Sequence, residues 1–224
     1  MLVQIAIDGP ASAGKSTVAK RVTQELGFIY CDTGAMYRTA TVLAKEKGLD
    51  YGDEAGILAD LEQSKISFKP AHPGEDQPVF LNQEDVTLAI RTPEITNNVS
   101  QVSALPKIRE ELVRQQREIA SGHDIVMDGR DIGTTVLPTA ELKIFLVASA
   151  AERARRRYAE NITKGIMTPL AELQTEIEQR DYKDSHRQVS PLTKADDAIE
   201  IDTTTMTIDE VVEKIVTLAK NRKK

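Results

Sequence analysis

A nine-residue segment near the start of the chain has the residue types and spacing of a phosphate-binding loop. Residues 9–17 read GPASAGKST and fit the pattern G-x-x-x-x-G-K-[ST]. Backbone N–H groups of such a loop point at phosphate oxygens, beside a helix N-terminus that favours negative charge. Lys15 is placed to reach the β- and γ-phosphates of a nucleoside triphosphate, and the Ser16 hydroxyl to bind Mg²⁺. The predicted ATP-binding residues are Gly9, Pro10, Ala11, Ser12, Ala13, Gly14, Lys15, Ser16 and Thr17.

The segments on either side of this loop have the structure that the pattern requires. Residues 2–7 are mostly apolar and of strand length, and residues 16–26 carry apolar side chains at helical spacing. Gly9 and Gly14 permit backbone conformations that are closed to other residues. A strand, a glycine loop and a helix in this order are the context in which the pattern binds phosphate, so we interpret the segment as functional.

The composition limits the classes of partner. The chain has 224 residues, a net charge of −6, no Trp, five Tyr and four Phe, which argues against a base-stacking surface or a large polyanion as partner. Its single cysteine, Cys31, fits a reducing compartment. We see no apolar run of the roughly 18 residues that span a membrane, and no secretory signal region. We therefore expect a cytoplasmic monomer that binds neither nucleic acid nor membranes.

Short apolar runs predict the strands that would position the loop. Helical patterns separate most of these runs, which indicates an α/β fold with a five-stranded parallel sheet flanked by helices. Ligands bind at the carboxyl ends of the strands in such sheets, and those ends here carry Asp8, Asp32, Asp128 and Asp202. Asp128 could hold Mg²⁺ through water or position a loop. The predicted strands are residues 3–7, 28–31, 125–127, 142–147 and 198–201.

A long insertion separates the second and third of these strands. Within it, residues 66–68 and 79–81 are predicted to form a small antiparallel sheet, joined by the Pro- and Gly-containing residues 70–78. Pro93 is typical of a helix start, and Gly122 of a helix end. The predicted helices are residues 16–26, 36–47, 57–63, a helix beginning at 92–94, and then 106–121, 150–164, 169–186 and 207–220.

A phosphate loop does not by itself settle the function, because kinases, GTPases, motor ATPases and transporters share it. Residues 193–196 read TKAD and match the guanine-reading pattern [NT]-K-x-D, but they do not follow a strand, so we favour a solvated turn. A nucleoside monophosphate acceptor is already mostly ionised near pH 7 and needs positive charge rather than a strong base. Two alternatives stay open: a kinase of another small acceptor, such as UMP, AMP or an alcohol like shikimate, and a non-enzymatic nucleotide switch that uses residues 193–196.

Three further motifs, in order behind the phosphate loop, resemble those of the bacterial cytidylate kinases. They are DTGAMYR at residues 32–38, DGRDIG at 128–133 and RDYKDSHR at 180–187, and the resemblance covers essentially the whole chain, including the insert at 65–100. It implies phosphorylation of CMP and dCMP in pyrimidine metabolism, with ATP as donor and Mg²⁺ as cofactor, and nucleotides as the partners.

The resemblance also implies three parts that close on the substrates. These are a core at residues 1–34, 106–152 and 189–224, a monophosphate-binding insert at 35–105, and a short helical lid with flanking helices at 153–188. Arg153, Arg156 and Arg157 have a spacing that faces them together on the lid helix. We assign Lys15, Arg130 and Arg157 to the catalytic set, while the sequence leaves open which of the three lid arginines contacts phosphate.

The monophosphate site that the resemblance implies combines arginines with two carboxylates. Asp131 can accept a hydrogen bond from the cytosine N4 amino group, and Arg109 suits the N3 and O2 acceptors, whereas uracil would turn an acceptor toward Asp131. Arg38 suits the acceptor phosphate, as does Arg130, unless Arg38 and Arg109 only form surface salt bridges. The implied residues are Thr33, Arg38, Ser100, Arg109, Arg130, Asp131, Arg180, Asp184 and Arg187.

The last three of these residues have a spacing of i, i+4, i+7, which predicts that they share one helix face. On the functional interpretation, Arg180 and Asp184 lie near the ribose with Ser100, and Arg187 lies toward phosphate. The alternative is ion pairing within the helix, which contributes only a few tenths of a kcal/mol. Acceptance of dCMP follows if the sugar contacts do not depend on the 2′-hydroxyl.

Overall fold

The computed structural model describes residues 2–69, 77–163 and 165–222. Most of the predicted linker at 70–78, and the last predicted residue of the helix 150–164, lie outside the described residues. The chain forms two compact units: the described residues up to Tyr30 with those from Gly122 onward, and Cys31–Ser121. The predicted division into core, insert and lid uses other boundaries and stays a prediction.

The first unit is built on a parallel sheet, which confirms the predicted fold class. Its five strands lie in the order β2-β6-β1-β7-β8, and β2 runs on into the second unit. The strands are β1 (Gln4–Asp8), β2 (Ile29–Asp32), β6 (Ile125–Gly129), β7 (Leu142–Val147) and β8 (Ile199–Asp202). The helices of this unit are α1 (Lys15–Leu26), α6 (Ala150–Thr163), α7 (Leu170–His186) and α8 (Ile208–Arg222).

The sheet forms because its central strands are apolar on both faces. Ile5 and Ile7 of β1 are fully buried, as are Val126 of β6 and Leu146 of β7. Continuous apolar runs of this kind are typical of parallel strands covered on both sides. Helices α1 and α8 pack on the sheet through one hydrophobic core, to which they contribute Val18, Ala19, Val22, Val211, Val212, Ile215 and Val216.

The second unit holds four helices and a small antiparallel sheet among its described residues. The helices are α2 (Thr33–Glu46), α3 (Glu54–Leu61), α4 (Pro93–Val102) and α5 (Pro106–Ala120), with a short 3₁₀ turn at Ala89–Arg91. The strands β3 (Ile66–Phe68) and β4 (Val79–Leu81) match the prediction, and β5 (Glu84–Asp85) pairs with β4 as a third strand. Asn82 and Gln83 both have positive φ angles, 49° and 76°, which is the backbone of a two-residue hairpin turn.

Most differences from the predicted elements are shifts at element ends. Helix α2 begins at Thr33 rather than Met36, because the Asp32 carboxylate accepts a hydrogen bond from the backbone N–H of Ala35 at 2.8 Å and caps the helix. A larger difference is the π-helical turn at Ile132–Val136, which the sequence did not predict. Among the described helices, none is both long enough and apolar enough to cross a bilayer.

Gly9 is required by the close approach of β7 to the start of the phosphate loop. Its φ angle is 148°, and a Cβ atom at this position would lie 2.1 Å from the carbonyl oxygen of Leu146. We expect Gly9→Ala to lower the free energy of unfolding by about 2–4 kcal/mol, because it adds a steric overlap to backbone strain. Urea unfolding followed by circular dichroism measures this loss.

Gly122→Ala is the matched control for this prediction. Gly122 also has a positive φ, 79°, but a Cβ atom there would meet nothing within 4 Å. We expect this variant to lose only about 1 kcal/mol, from backbone strain alone. Equal losses in the two variants would contradict the steric argument for Gly9.

Candidate active site

The loop between β1 and α1 has the backbone of an anion site. Three of its residues have positive φ angles: 148° at Gly9, 59° at Ser12 and 88° at Gly14. Left-handed residues in such a loop turn successive N–H groups toward its concave side. Gly14 caps α1 without a side-chain hydrogen bond, so the cap residue leaves the first N–H groups of the helix to other acceptors. The backbone of this loop can therefore bind phosphate oxygens.

Lys15 is a buried cation in this loop. Its ammonium group donates a hydrogen bond to the carbonyl oxygen of Pro10 at 2.7 Å, and only 6% of the residue is exposed. Burial, and then the charge of Arg130, hold the pKa of Lys15 well below its usual value, against the attraction of Asp128 and Asp8. A bound polyphosphate would favour the protonated lysine, since an opposite charge compensates for lost hydration.

Ser16 and the carboxylate at the end of β6 are hydrogen-bonded to each other. Ser16 Oγ donates to Asp128 Oδ2 at 2.8 Å, and the Tyr30 hydroxyl donates to Asp128 Oδ1 at 2.7 Å. Asp128 therefore positions the phosphate loop, one of the two roles that the sequence left open. A hydroxyl beside a carboxylate supplies the hard oxygen ligands that Mg²⁺ prefers, so this pair fits the cation.

Asp8 joins the phosphate-loop strand to the loop that follows β6. Its Oδ1 accepts a hydrogen bond from the backbone N–H of Ile132 at 2.8 Å, and its Oδ2 one from that of Gly133 at 2.7 Å. Burial raises the pKa of Asp8 to about 6, although both N–H groups and Lys15 oppose the shift and Asp131 adds to it. The carboxylate fixes the backbone immediately after Arg130 and Asp131, two of the predicted site residues.

Five of the predicted monophosphate-site residues belong to the first unit, and ion pairs connect four of them. Arg130 Nε donates to Asp184 Oδ2 at 2.8 Å, and an Arg187 Nη2 nitrogen lies 3.4 Å from Asp131 Oδ1. Burial pushes the pKa of Asp184 up, but the charges of Arg130, Arg180 and Arg187 outweigh it and hold the pKa below its usual value. Three arginines with two aspartates leave a net positive charge that suits a phosphate.

The other four predicted monophosphate-site residues belong to the second unit. Arg38 Nη2 donates to Asp32 Oδ2 at 3.0 Å, next to the buried Thr33. Arg109 is 1% exposed, so it is not a surface salt bridge; its Nη1 donates to the carbonyl of Ser103 at 3.0 Å, and its guanidinium lies 5.1 Å from the centre of the Tyr37 ring. The Ser103 hydroxyl donates in turn to the carbonyl of Ser100 at 3.2 Å.

The three predicted lid arginines, which all belong to α6, have separate partners. Arg153 Nη1 donates to the carbonyl of Ala11 in the phosphate loop at 2.9 Å, and its Nη2 lies 2.6 Å from Asp181 Oδ2. Arg156 donates instead to the carbonyl of Thr203 at 2.6 Å. Arg157 is more exposed than these two, and its Nη1 lies 3.7 Å from Glu160 Oε2. All three residues lie on the predicted helix, but each side chain contacts a different part of the chain.

The predicted helix face shared by Arg180, Asp184 and Arg187 does not include Arg187. Helix α7 ends at His186, and Arg187 has extended φ and ψ angles of −66° and 146°, so only Arg180 and Asp184 share the helix face. Arg187 Nε donates to the carbonyl of Ser190 at 2.6 Å, which aims the side chain at Asp131 from the following loop.

The TKAD segment at residues 193–196 lies outside helices and strands, just before β8, as expected for a solvated turn. Its Lys194 pairs with Glu200 of β8 at 3.1 Å.

Sequence reasoning missed three residues that organise this site: Tyr30, Arg153 as a partner of the phosphate loop, and Asp8 as a brace for the neighbouring loop. Their contacts join positions far apart in the chain. For Asp8 the sequence offered one signal, a polar residue at the end of an apolar strand. This signal identifies Asp8 but not the N–H groups that it binds.

Comparison with known proteins gives one family. A family model described as Cytidylate kinase matches residues 5–221. The cytidylate kinase of Lactiplantibacillus plantarum is 65% identical over 210 residues, covering 94% of this chain and 91% of that protein. That of Lactobacillus johnsonii is 60% identical over 223 residues, covering 100% and 96%. The crystal structure of an uncharacterized protein from Eubacterium ventriosum covers 99% of each chain at a TM-score of 0.54 and 10% identity, a likeness of fold alone.

The raised pKa of Asp8 makes a specific prediction for stability against pH. A folded-state pKa of about 6, above the usual 3.8, gives stability that is fully present below about pH 4 and is lost as the pH rises through 6. Over this range we expect the free energy of unfolding of wild type to fall by about 3 kcal/mol relative to that of Asp8→Asn, since one unit of pKa is about 1.4 kcal/mol. Urea unfolding of both proteins between pH 4 and pH 7.5 measures the difference.

Asp197→Asn is the control of opposite sign. A hydrogen bond from Lys143 lowers the pKa of this exposed carboxyl, so its stabilising contribution is present at neutral pH and decreases as the pH falls. A free-energy difference between wild type and Asp8→Asn that stays constant with pH would show that Asp8 is not held with a raised pKa.

Proposed function

The chain belongs to the cytidylate kinase family, and on that premise we propose that it transfers the γ-phosphoryl group of Mg·ATP to CMP and dCMP. The products would be ADP with CDP or dCDP, intermediates of pyrimidine nucleotide metabolism. The observation that carries the proposal is that hydrogen bonds join the phosphate loop and its strand to the segment that contains Arg130. Ser16 donates to Asp128 at 2.8 Å, and the N–H groups of Ile132 and Gly133 donate to Asp8 at 2.8 and 2.7 Å. A cation for the donor phosphates, Lys15, and one for an acceptor phosphate, Arg130, would then act on the same transfer, as phosphoryl transfer requires.

Residues of the phosphate loop would bind the donor. The loop N–H groups and Lys15 hold the phosphates, and the Ser16 hydroxyl, hydrogen-bonded to Asp128, would hold the cation. When bound, Mg²⁺ neutralises charge on the β- and γ-phosphates. Gly9 to Thr17 are the proposed ATP-binding residues, with Ser16 as the metal ligand.

The transfer itself needs positioning and charge rather than a covalent intermediate. An oxygen of the acceptor phosphate forms a bond to the γ-phosphorus while the bond from that phosphorus to the bridging oxygen of ADP breaks in line. The acceptor phosphate has a second pKa of about 6 and is mostly ionised near pH 7, so no strong base has to remove a proton. Lys15 and Arg130 would stabilise the negative charge on the transferring group.

The remaining catalytic assignment is Arg157. Its side chain is 41% exposed, whereas Arg153 and Arg156 are committed to backbone carbonyls of the first unit. An arginine without a tight structural contact can approach a triphosphate when a lid closes and excludes water. We therefore keep Arg157 as the lid arginine that contacts the donor phosphates, and residues 153–188 as the lid with its flanking helices.

Selection of cytosine rests on one acceptor and one donor side chain. The Asp131 carboxylate would accept a hydrogen bond from the N4 amino group, and Arg109 would donate to N3 or O2, with Thr33 adding a hydroxyl. Arg38 and Arg130 would hold the acceptor phosphate, and Ser100, Arg180 and Asp184 the sugar. Arg187 would support Asp131, to which it is paired.

We also propose that the protein is a cytoplasmic monomer that binds small nucleotides and neither nucleic acid nor membranes.

A parallel substrate panel tests this function. We expect ADP release from Mg·ATP to be strong with CMP and dCMP and weak with UMP, AMP and GMP. Lys15→Ala should lose about 100-fold or more in kcat while keeping its affinity for CMP, because the lysine acts on the transferring phosphate. Lys214→Ala, an exposed lysine of α8, is the matched control and should resemble wild type. Absence of turnover with every monophosphate would overturn the proposal and would favour an alcohol acceptor.

The reading of the base makes a separate prediction. Asp131→Ala should reduce the ratio of kcat/KM for CMP to that for UMP by about tenfold or more, since uracil no longer meets a repelling carboxylate. The ratio is measured from initial rates at subsaturating acceptor. An unaltered ratio, with activity retained, would remove Asp131 from base recognition while leaving the kinase assignment intact.

A further inference from the structure

The Asp128 carboxylate is held at both of its oxygens. Oδ2 accepts the Ser16 hydroxyl at 2.8 Å, and Oδ1 accepts the Tyr30 hydroxyl at 2.7 Å. The first donor belongs to the phosphate loop and the second to β2, a separate strand of the sheet. Asp128 itself is only 4% exposed, so neither oxygen can exchange its protein donor freely for bulk water.

We propose that Tyr30 is a positioning residue of the phosphoryl-transfer site: its hydroxyl sets the orientation of the Asp128 carboxylate, and through it the orientation of the Ser16 hydroxyl toward the cation. The inference rests on the proposed function, because it gives Ser16 the role of Mg²⁺ ligand. Tyr30 does not touch the nucleotide in this proposal and acts only through Asp128.

The fold holds the tyrosine ring rigidly enough for this role. Tyr30 is 8% exposed and belongs to the same hydrophobic core as Val3, Val22 and Val126. Its strand is fixed beside the start of β6, where the N–H of Ile29 donates to the carbonyl of Asp124 at 3.0 Å. A ring packed in a core has one rotamer available, so the phenol oxygen occupies a defined place.

A carboxylate with one fixed oxygen has a preferred plane. The Tyr30 hydrogen bond sets the rotation of the Asp128 carboxylate about its Cβ–Cγ bond, and this leaves Oδ2 facing Ser16. The Ser16 hydroxyl then donates its hydrogen bond to Oδ2, so the lone pairs of its oxygen point away from Asp128 and are available to a cation. Removal of the phenol would take a hydrogen-bond donor from Oδ1 in a buried place, and the carboxylate would be free to rotate about its Cβ–Cγ bond.

The test uses Tyr30→Phe in the full-length protein, with Tyr51→Phe as the matched control. Both substitutions remove a phenol that donates to a carboxylate at 2.7 Å, to Asp128 in one case and to Glu94 in the other. For Tyr30→Phe we expect the Mg²⁺ concentration for half-maximal turnover to rise about fivefold or more, with an unchanged KM for CMP. Mn²⁺ binding in the presence of ADP, followed by electron paramagnetic resonance, should weaken by a similar factor without any turnover. Tyr51→Phe should change neither value.

A variant cycle with Asp128→Asn separates positioning from a general loss of stability. If Tyr30 acts through Asp128, Tyr30→Phe should weaken Mn²⁺ binding by less than about twofold in the Asp128→Asn background, because coupled residues are not additive. A folding defect would instead add its full effect in both backgrounds, and that result would overturn the inference. So would metal dependence in Tyr30→Phe equal to that of wild type.

The outcomes also separate this inference from the proposed function. Wild type that turns over no monophosphate contradicts the kinase proposal itself. Wild type that is an active, Mg²⁺-dependent CMP kinase, beside a Tyr30→Phe variant with normal metal dependence, contradicts only the role of Tyr30.

Discussion

Parallel pairing of β1 with β6 is the constraint on which the rest of the site depends. In this register Ile7 lies beside Asp128 and Asp8 beside Gly129. The phosphate loop and the loop with Arg130 and Asp131 therefore leave the sheet at the same edge. A shift of two residues in this pairing would keep the buried faces apolar but would separate Ser16 from Asp128, so apolar patterning alone does not define the site.

Each buried charge near that edge has a defined partner, which explains why the arrangement is stable. Asp8 accepts two backbone N–H groups, Asp128 two hydroxyls, and Asp184 the guanidinium of Arg130. A buried charge without such partners would cost several kcal/mol. Burial and the charge of Arg130 lower the pKa of Lys15, so the lysine charge is incompletely compensated. A bound polyphosphate would compensate this charge.

Local pattern was sufficient for the sheet and for most helices, because buried strands and amphipathic helices are encoded in nearby residues. It failed where a contact between distant residues decides the geometry. Tertiary partners decide three such features. Helix α7 ends before Arg187, the phenol of Tyr30 donates to Asp128, and each lid arginine has its own partner. The sequence did not predict strand β5, although Asn82 is typical of a hairpin turn. The reason is that the strand after this turn has only two residues, Glu84 and Asp85. Motif resemblance named the candidate residues of the site, and the structure adds which of them are already paired.

That pairing has a consequence for selectivity. Within the protein, Arg38 is paired with Asp32, Arg130 with Asp184, and Arg187 with Asp131. A nucleotide that binds these groups exchanges one partner for another, so its affinity is a small difference between two sets of hydrogen bonds. If Asp131 reads the base as we propose, a base with an amino donor would compensate Asp131 for a loosened contact with Arg187. A base that offers an acceptor at the same position would give no compensation and would add repulsion. Pairing within the protein would then increase discrimination between bases at the cost of affinity.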